Sequence, residues 1–231
     1  MKRALYERLR TATAAGASVA VVTRLKDGAQ SLFDGERREG TVDLSAEQLT
    51  SLRRMLVADR SGVLPGTEDL FVRSYARPPR LIVVGAAHIS QFLAPMAALA
   101  GFEVVVIDPR RAFASADRFP GVTLIDAWPD QAFETLKLDA TTAVVTLTHD
   151  PKIDDPALIA ALSSPVFYVG ALGSKRTHAK RVERLTEVGL GEKAARIHAP
   201  VGLDLGGRAP REIAVSILSQ VIQVRYRGEA V

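Results

Sequence analysis

No cysteine occurs in the 231-residue chain. Disulfides, thiolate metal sites, a cysteine nucleophile and a persulfide carried on the protein's own sulfur are therefore excluded, and any sulfur chemistry needs a partner. Long hydrophobic runs are missing as well. None approaches the roughly 18 residues that cross a bilayer, and the opening Met1-Lys2-Arg3-Ala4-Leu5-Tyr6-Glu7 lacks the apolar stretch of a secretion signal. No membrane partner is expected, and the cytoplasm is the expected compartment. Lysine-rich runs and basic segments interleaved with aromatics are also absent. The net charge of +4 sits in the first third, since residues 1–80 carry 14 Lys and Arg against 10 Asp and Glu, whereas 81–231 carry 16 of each. So mild a bias reads as a solvated basic face, and no nucleic-acid surface is expected.

What is present is apolar residues in quantity, 47% of the chain, enough for one large core with a smaller domain attached. The predicted boundary is Ala76-Arg77-Pro78-Pro79-Arg80, where two prolines favour an extended connector. Residues 1–76 form the predicted small, shortened α+β domain: a helix over about 2–15, a strand over 18–24, a glycine-rich turn region, a helix near 45–58, and an alternating strand over 70–75. Residues 77–231 change rhythm. Continuous apolar strands at 81–85, 103–107, about 122–126, 143–147 and 166–169 alternate with helices near 88–100, 129–136, 155–162, 174–188 and 210–226. That pattern predicts an α/β, Rossmann-like parallel sheet covered on both faces, with ligands at the carboxyl ends of the strands near the switch in strand order.

The strand ends therefore supply the candidate site. The first strand ends in Gly85-Ala86-Ala87-His88, where the amides that open the next helix suit a phosphate. Only the first glycine of a dinucleotide fingerprint is there, and His88 brings an imidazole with one donor and one acceptor, as a ligand contact or a helix cap. Asp108 follows Gly85 at about the 20-residue distance of a ribose-binding carboxylate. Arg110 beside it could clasp a phosphate or close the loop as an Asp–Arg pair. The fourth strand ends in Thr148-His149-Asp150, two hydrogen-bonding groups and a carboxylate that either meet a ligand or cap the next helix. The fifth ends in Gly170 and Gly173, with Ser174 as N-cap and Lys175 and Arg176 in the first helical turn. Cations there oppose the helix dipole, which a bound anion would compensate. Last, a glycine-punctuated loop enters a helix at Pro210, with Asp204 and Glu212 as candidates to face the same crevice.

Taken together, Gly85-Ala86-Ala87-His88, Asp108-Pro109-Arg110 with Arg118-Phe119-Pro120, Thr148-His149-Asp150, Tyr168 to Arg176, and Gly202-Leu203-Asp204 leading into Glu212-Ile213-Ala214 resemble the XdhC/CoxI family. These are accessory proteins for xanthine dehydrogenase and carbon monoxide dehydrogenase. The resemblance implies a Rossmann-type domain and a chaperone, not an enzyme, that binds molybdenum cofactor, as molybdopterin or its dinucleotide form. It implies delivery to a molybdenum hydroxylase, with a sulfurase as a further partner. A pterin phosphate, or the pyrophosphate and ribose of a dinucleotide form, is what the glycine turns, Asp108 and the arginines would hold. The N-terminal part departs from the family pattern: the family's Ser-Gly-Gly-Cys motif is missing, and only the strand from Val19 to Arg24 and the Asp27-Gly28 turn stand in that region. Two other readings stay open, an NAD(P)-dependent oxidoreductase using Gly85 and Asp108 with a histidine as proton donor, and a non-catalytic scaffold. A homodimer is the expected assembly.

Overall fold

In the computed structural model, residues 2–34 and 38–227 are described. The chain divides into two compact units, Met1–Arg77 and Pro78–Val231. In the first, helix α1 (Arg3–Ala14) precedes strands β1 (Val19–Arg24), β2 (Gln30–Phe33) and β3 (Arg38–Gly40), helix α2 (Ala46–Val57), and strands β4 (Gly62–Val63) and β5 (Leu70–Tyr75). The strands pair antiparallel in the order β3-β2-β1-β5-β4. Central β1 is apolar on both faces. Val19 and Val21 pack on Leu5 and Leu9 of α1, and Ala20 and Val22 on Leu52 and Leu56 of α2. Helix α2 opens with a capping box, Ser45 Oγ accepting from the Gln48 amide at 3.2 Å and Gln48 Oε1 from the Ser45 amide at 2.9 Å. Strands β2, β3 and β4 go beyond the sequence expectation, because two to four residues are too few for a period to show.

The second unit runs β6 (Arg80–Val84), α3 (His88–Leu99), β7 (Glu103–Ile107), β8 (Thr123–Ile125), α4 (Pro129–Thr135), β9 (Thr142–Thr146), α5 (Pro151–Leu162), β10 (Tyr168–Ala171), α6 (Lys175–Glu187), a 3-10 turn (Glu192–Arg196), β11 (Ile197–His198) and α7 (Pro210–Arg227). Its six strands are all parallel, in the order β11-β10-β9-β6-β7-β8. This is the predicted Rossmann-like sheet. Side chains alternate between two cores: Leu81, Val83, Ala143 and Val145 meet Leu93 and Ala97 of α3 and Ile217 and Val221 of α7. Ile82, Val84, Val105 and Val144 meet Ile153, Leu158 and Ala161 of α5. Strand order reverses between β6 and β9, so a crevice opens where Gly85 and Thr148 leave the sheet.

Two elements differ from expectation by more than one residue, and the short β11 goes beyond it. Helix α5 starts at Pro151, four residues before the predicted 155, because Asp150 caps it by accepting from the Lys152 amide at 3.0 Å and Pro151 takes the first helical position. Pro156 then lies inside the helix, at the loss of one ladder hydrogen bond. Strand β10 spans 168–171 and not 166–169, since its ladder partners on β9 are Ala143 to Thr146. Among the described residues no helix is long and apolar enough to cross a membrane.

Candidate functional site

At the end of β6 the chain passes through Gly85 at φ +108°. The Gly85 amide donates to the Ile107 carbonyl at 2.8 Å, and the Leu147 amide donates to Val84 at 2.8 Å, so the ends of β6, β7 and β9 are laced together. A Cβ on Gly85 would stand 2.5 Å from Thr148 Cγ2. The glycine is thus demanded by the close passage of two loops, not by a ligand. Ala87, with extended backbone, is the N-cap residue of α3 and makes no side-chain cap. His88 opens the helix, exposed, with its ring 6.0 Å from that of Phe92. His88 is therefore not the cap, and its imidazole stays exposed at the start of α3.

Asp108 is fully buried. Its Oδ2 accepts from the Ala86 amide and from Arg110 Nη2, both at 2.8 Å, and its Oδ1 from the Arg110 amide and Nε, both at 2.9 Å. Burial pushes this carboxyl up, but the Arg110 guanidinium with the Arg110 and Ala86 amides outweighs it, and the group is held below the ordinary carboxylate value. The expectation of a ribose acceptor is thereby corrected: both oxygens are enclosed and occupied. The carboxylate ties the β6 turn to Arg110, and the Arg110 guanidinium lies 4.7 Å from the Phe113 ring centre.

Across the switch, Thr148 Oγ1 donates to Asp154 Oδ1 at 2.6 Å and accepts from the Asp150 amide at 3.0 Å. His149 between them adopts φ +64°, a left-handed conformation that a non-glycine residue holds only when its neighbours fix it. Beside it lies a cavity of about 220 Å³, lined by His149, Asp154, Arg176, Lys180, Arg181 and Arg184, with Pro151 and Thr177 completing the wall. Arg181 and Asp154 are each 2% exposed. Arg181 Nη2 donates to the Leu172 carbonyl at 2.9 Å, yet among the described residues its Nε and Nη1 and Asp154 Oδ2 have no hydrogen-bond partner. Burial pushes the Asp154 carboxyl up and the Arg181 guanidinium down, each partly offset by the other's charge. Arg184 is held by Asp155 in a bidentate pair, Nε donating to Oδ2 and Nη2 to Oδ1.

Residues 81–221 match the XdhC Rossmann domain. The chain belongs to this family. It is 35% identical over 162 residues to a probable xanthine dehydrogenase subunit of Bacillus subtilis, covering 70% of this chain and 47% of that protein. It is 34% identical over 151 residues to the molybdenum cofactor insertion chaperone PaoD of Escherichia coli, 65% of this chain and 41% of that one. YqeB of Escherichia coli, an uncharacterized protein, is 34% identical over 163 residues, 69% of this chain and 30% of its own. The chain spans less than half the length of these relatives. A crystal structure of a xanthine dehydrogenase from Bacillus halodurans superimposes with a TM-score of 0.67 at 24% identity, covering 98% of this chain and 64% of that one, a likeness of fold.

The XdhC Rossmann domain brings some of the predicted residues together and separates others. Thr148, His149, Asp150 and Arg176 cluster at or beside the cavity, while Gly85, Ala87 and His88 stand across the switch. Gly170 is a packing residue, since a Cβ there would meet Val201 Cγ2 at 2.6 Å and the Tyr168 ring at 2.8 Å. Gly173, at φ +133°, sets the turn before α6, and Ser174 caps that helix by accepting from the Thr177 amide at 3.2 Å. Glu212 does not reach the cavity. Its Oε2 accepts from the Arg208 and Ala209 amides, both at 3.0 Å, at the start of α7, and it lines a separate groove with Phe92 and Met96. Asp204 is exposed and turns its own loop, accepting from the Gly206 amide at 3.3 Å. Glu212→Ala is expected to cost about 1 kcal/mol as a lost cap, lowering the thermal midpoint by roughly 2–4 °C; an unchanged midpoint would show that the cap contributes nothing.

Lys180, Arg181 and Arg184 are not among the residues to which strand ends and first helical turns point, and Asp154 is not among the residues predicted for the site. A signal was available. Arg176, Lys180 and Arg184 recur every four residues and Thr177 and Arg181 repeat the step, which puts them on one face of α6. Among the described residues no group of three or more His, Asp or Glu could hold a metal ion.

Proposed function

We propose that this chain binds molybdenum cofactor as cargo and delivers it to a molybdenum hydroxylase of the xanthine dehydrogenase type. The observation that carries the reading is the cationic cavity beside the strand-order switch, with buried donors on Arg181 that find no acceptor among the described residues. An anionic cargo fits such donors, and a pterin carries its anion as a phosphate. The similarity to a protein named as a molybdenum cofactor insertion chaperone supports the same cargo. In this reading Arg181, Arg176 and Lys180 receive the phosphate, His149 and His88 lie along the crevice toward the pterin, and Asp108, Arg110 and Gly85 hold the walls in place. The chain has no cysteine, so a terminal sulfido ligand comes from a partner sulfurase. The chaperone works in the cytoplasm as a homodimer.

The oxidoreductase alternative needs a carboxylate to receive the ribose, and the Asp108 oxygens already accept from Ala86 and Arg110, which counts against it. Protein purified without oxygen from a molybdopterin-producing host separates the readings by native mass spectrometry. A pterin-mass adduct, whose addition restores activity to an apo molybdenum hydroxylase, is the expected result. A nicotinamide-mass adduct would replace the proposal with an oxidoreductase. Adduct-free protein that still binds the hydroxylase would leave a scaffold.

A further inference from the structure

We propose that the cavity between α5 and α6 is a phosphomonoester site that discriminates by protonation: Arg181 donates to phosphate oxygens while Asp154 accepts the one proton that phosphate retains. The source of the phosphate, a terminal group on the cofactor, rests on the delivery reading; the site itself does not.

Three idle atoms set the chemistry. Among the described residues Arg181 Nε and Nη1 lack acceptors and Asp154 Oδ2 lacks a donor; all three belong to side chains that line the cavity but are closed to solvent, so a ligand meets them only after a side-chain shift. Leaving such atoms unpaired in a folded protein is costly, so a group that satisfies them is favoured by their whole desolvation penalty. The two side chains interact electrostatically, but no ion pair or hydrogen bond joins them among the described residues. What completes both at once is a group with several acceptor oxygens and a single O–H. A phosphate monoester has that form, because its second ionisation falls near pH 6 and a monoprotonated fraction persists into the neutral range. Sulfate and phosphodiesters carry no proton there and would set a bare anionic oxygen against the Asp154 carboxylate. The rim adds attraction: Arg176 and Lys180 are exposed and stand one helical turn apart, whereas Arg184 is already balanced by Asp155. A terminal phosphate, as in molybdopterin, is therefore taken in preference to the pyrophosphate of a dinucleotide form.

Isothermal titration of the full chain at pH 6.5 with inorganic phosphate, sulfate and dimethyl phosphate tests this. Phosphate is expected to bind at least about tenfold more tightly than either other anion, the ratio that one charge-assisted hydrogen bond sustains. Asp154→Asn, which can donate as well as accept, is expected to bring sulfate to within about threefold of phosphate, a change no purely structural role of Asp154 would cause. Because Arg181 is buried, its replacement can unfold the protein. The pair Arg176→Ala with Lys180→Ala, both exposed, is therefore expected to weaken phosphate several-fold with an unchanged thermal midpoint. Absence of phosphate binding, equal affinity for sulfate in the wild type, or a double variant that binds as tightly as wild type would each overturn the site. If phosphate binds as expected but no pterin adduct forms, the site stands and the delivery reading falls. If pterin binds while phosphate does not, the delivery reading stands and this site falls.

Discussion

Asp108→Ala is expected to destabilise the second unit by about 2–4 kcal/mol, between the cost of an unsatisfied buried amide and that of a broken buried ion pair. The substitution leaves the Ala86 amide without its acceptor and frees the Arg110 guanidinium from its bidentate partner. The figure stays below that for a wholly buried pair because the Arg110 side chain is 39% exposed and recovers water. A double-mutant cycle with Arg110→Ala measures the pair itself, and the two losses are expected to be clearly less than additive. Strict additivity would mean that the latch is decorative.

The same carboxylate gives a pH signature. Its folded-state pKa lies below the unfolded value of 3.8, so its contribution is fully present above that value and disappears as pH falls through the folded pKa. Asp108→Asn cannot ionise. The gap in urea midpoint between wild type and Asp108→Asn is therefore expected to be constant from pH 7 to pH 5 and to close as pH drops below about 4. A gap that persists at pH 3 would show that shape, not charge, holds the turn.

Asp108 also marks how far sequence reading reaches. Strands β6, β7 and β9 were legible because a parallel strand covered on both faces must be apolar at every position, and Leu81 to Val84 or Val104 to Ile107 leave no other reading. The strand ends were legible as the place to look. The roles there were not, because a role depends on partners distant in sequence: the Ala86 amide reaches Asp108 from another strand, and Thr148 reaches Asp154 across a turn. Asp150 and the Asp108–Arg110 pair proved to be the structural alternatives already weighed for them. The cavity's arginine was missed for a related reason. Attention to strand ends and first helical turns stops at Arg176, whereas Arg181 lies more than a turn further along α6 and comes back to the site only because that helix packs against α5.

Gly85→Ala is expected to cost about 3–5 kcal/mol, the sum of a backbone term and an overpacking term. The backbone term arises because φ is +108°, where an L side chain is strained. The packing term arises because the new methyl would lie 2.5 Å from Thr148 Cγ2, 3.2 Å from the Thr148 nitrogen and 3.3 Å from the Leu147 carbonyl carbon. Thr148 cannot rotate its methyl away cheaply, since its Oγ1 is held by Asp154 and the Asp150 amide. Gly189→Ala separates the two terms: that glycine also has positive φ, at +79°, but meets nothing within 4 Å, so only about 1 kcal/mol of backbone strain is expected there. Thr148→Ser removes the clashing methyl and keeps the hydroxyl. Combined with Gly85→Ala, it is expected to restore roughly half of the loss, shifting the midpoint back by several degrees at roughly 2–4 °C per kcal/mol. A double variant no more stable than Gly85→Ala alone would place the strain in the backbone only. Because Thr148 leads into His149 and holds Asp154, rescue of stability by Thr148→Ser should be accompanied by recovery of phosphate affinity, which ties the glycine turn to the cavity through a single side chain.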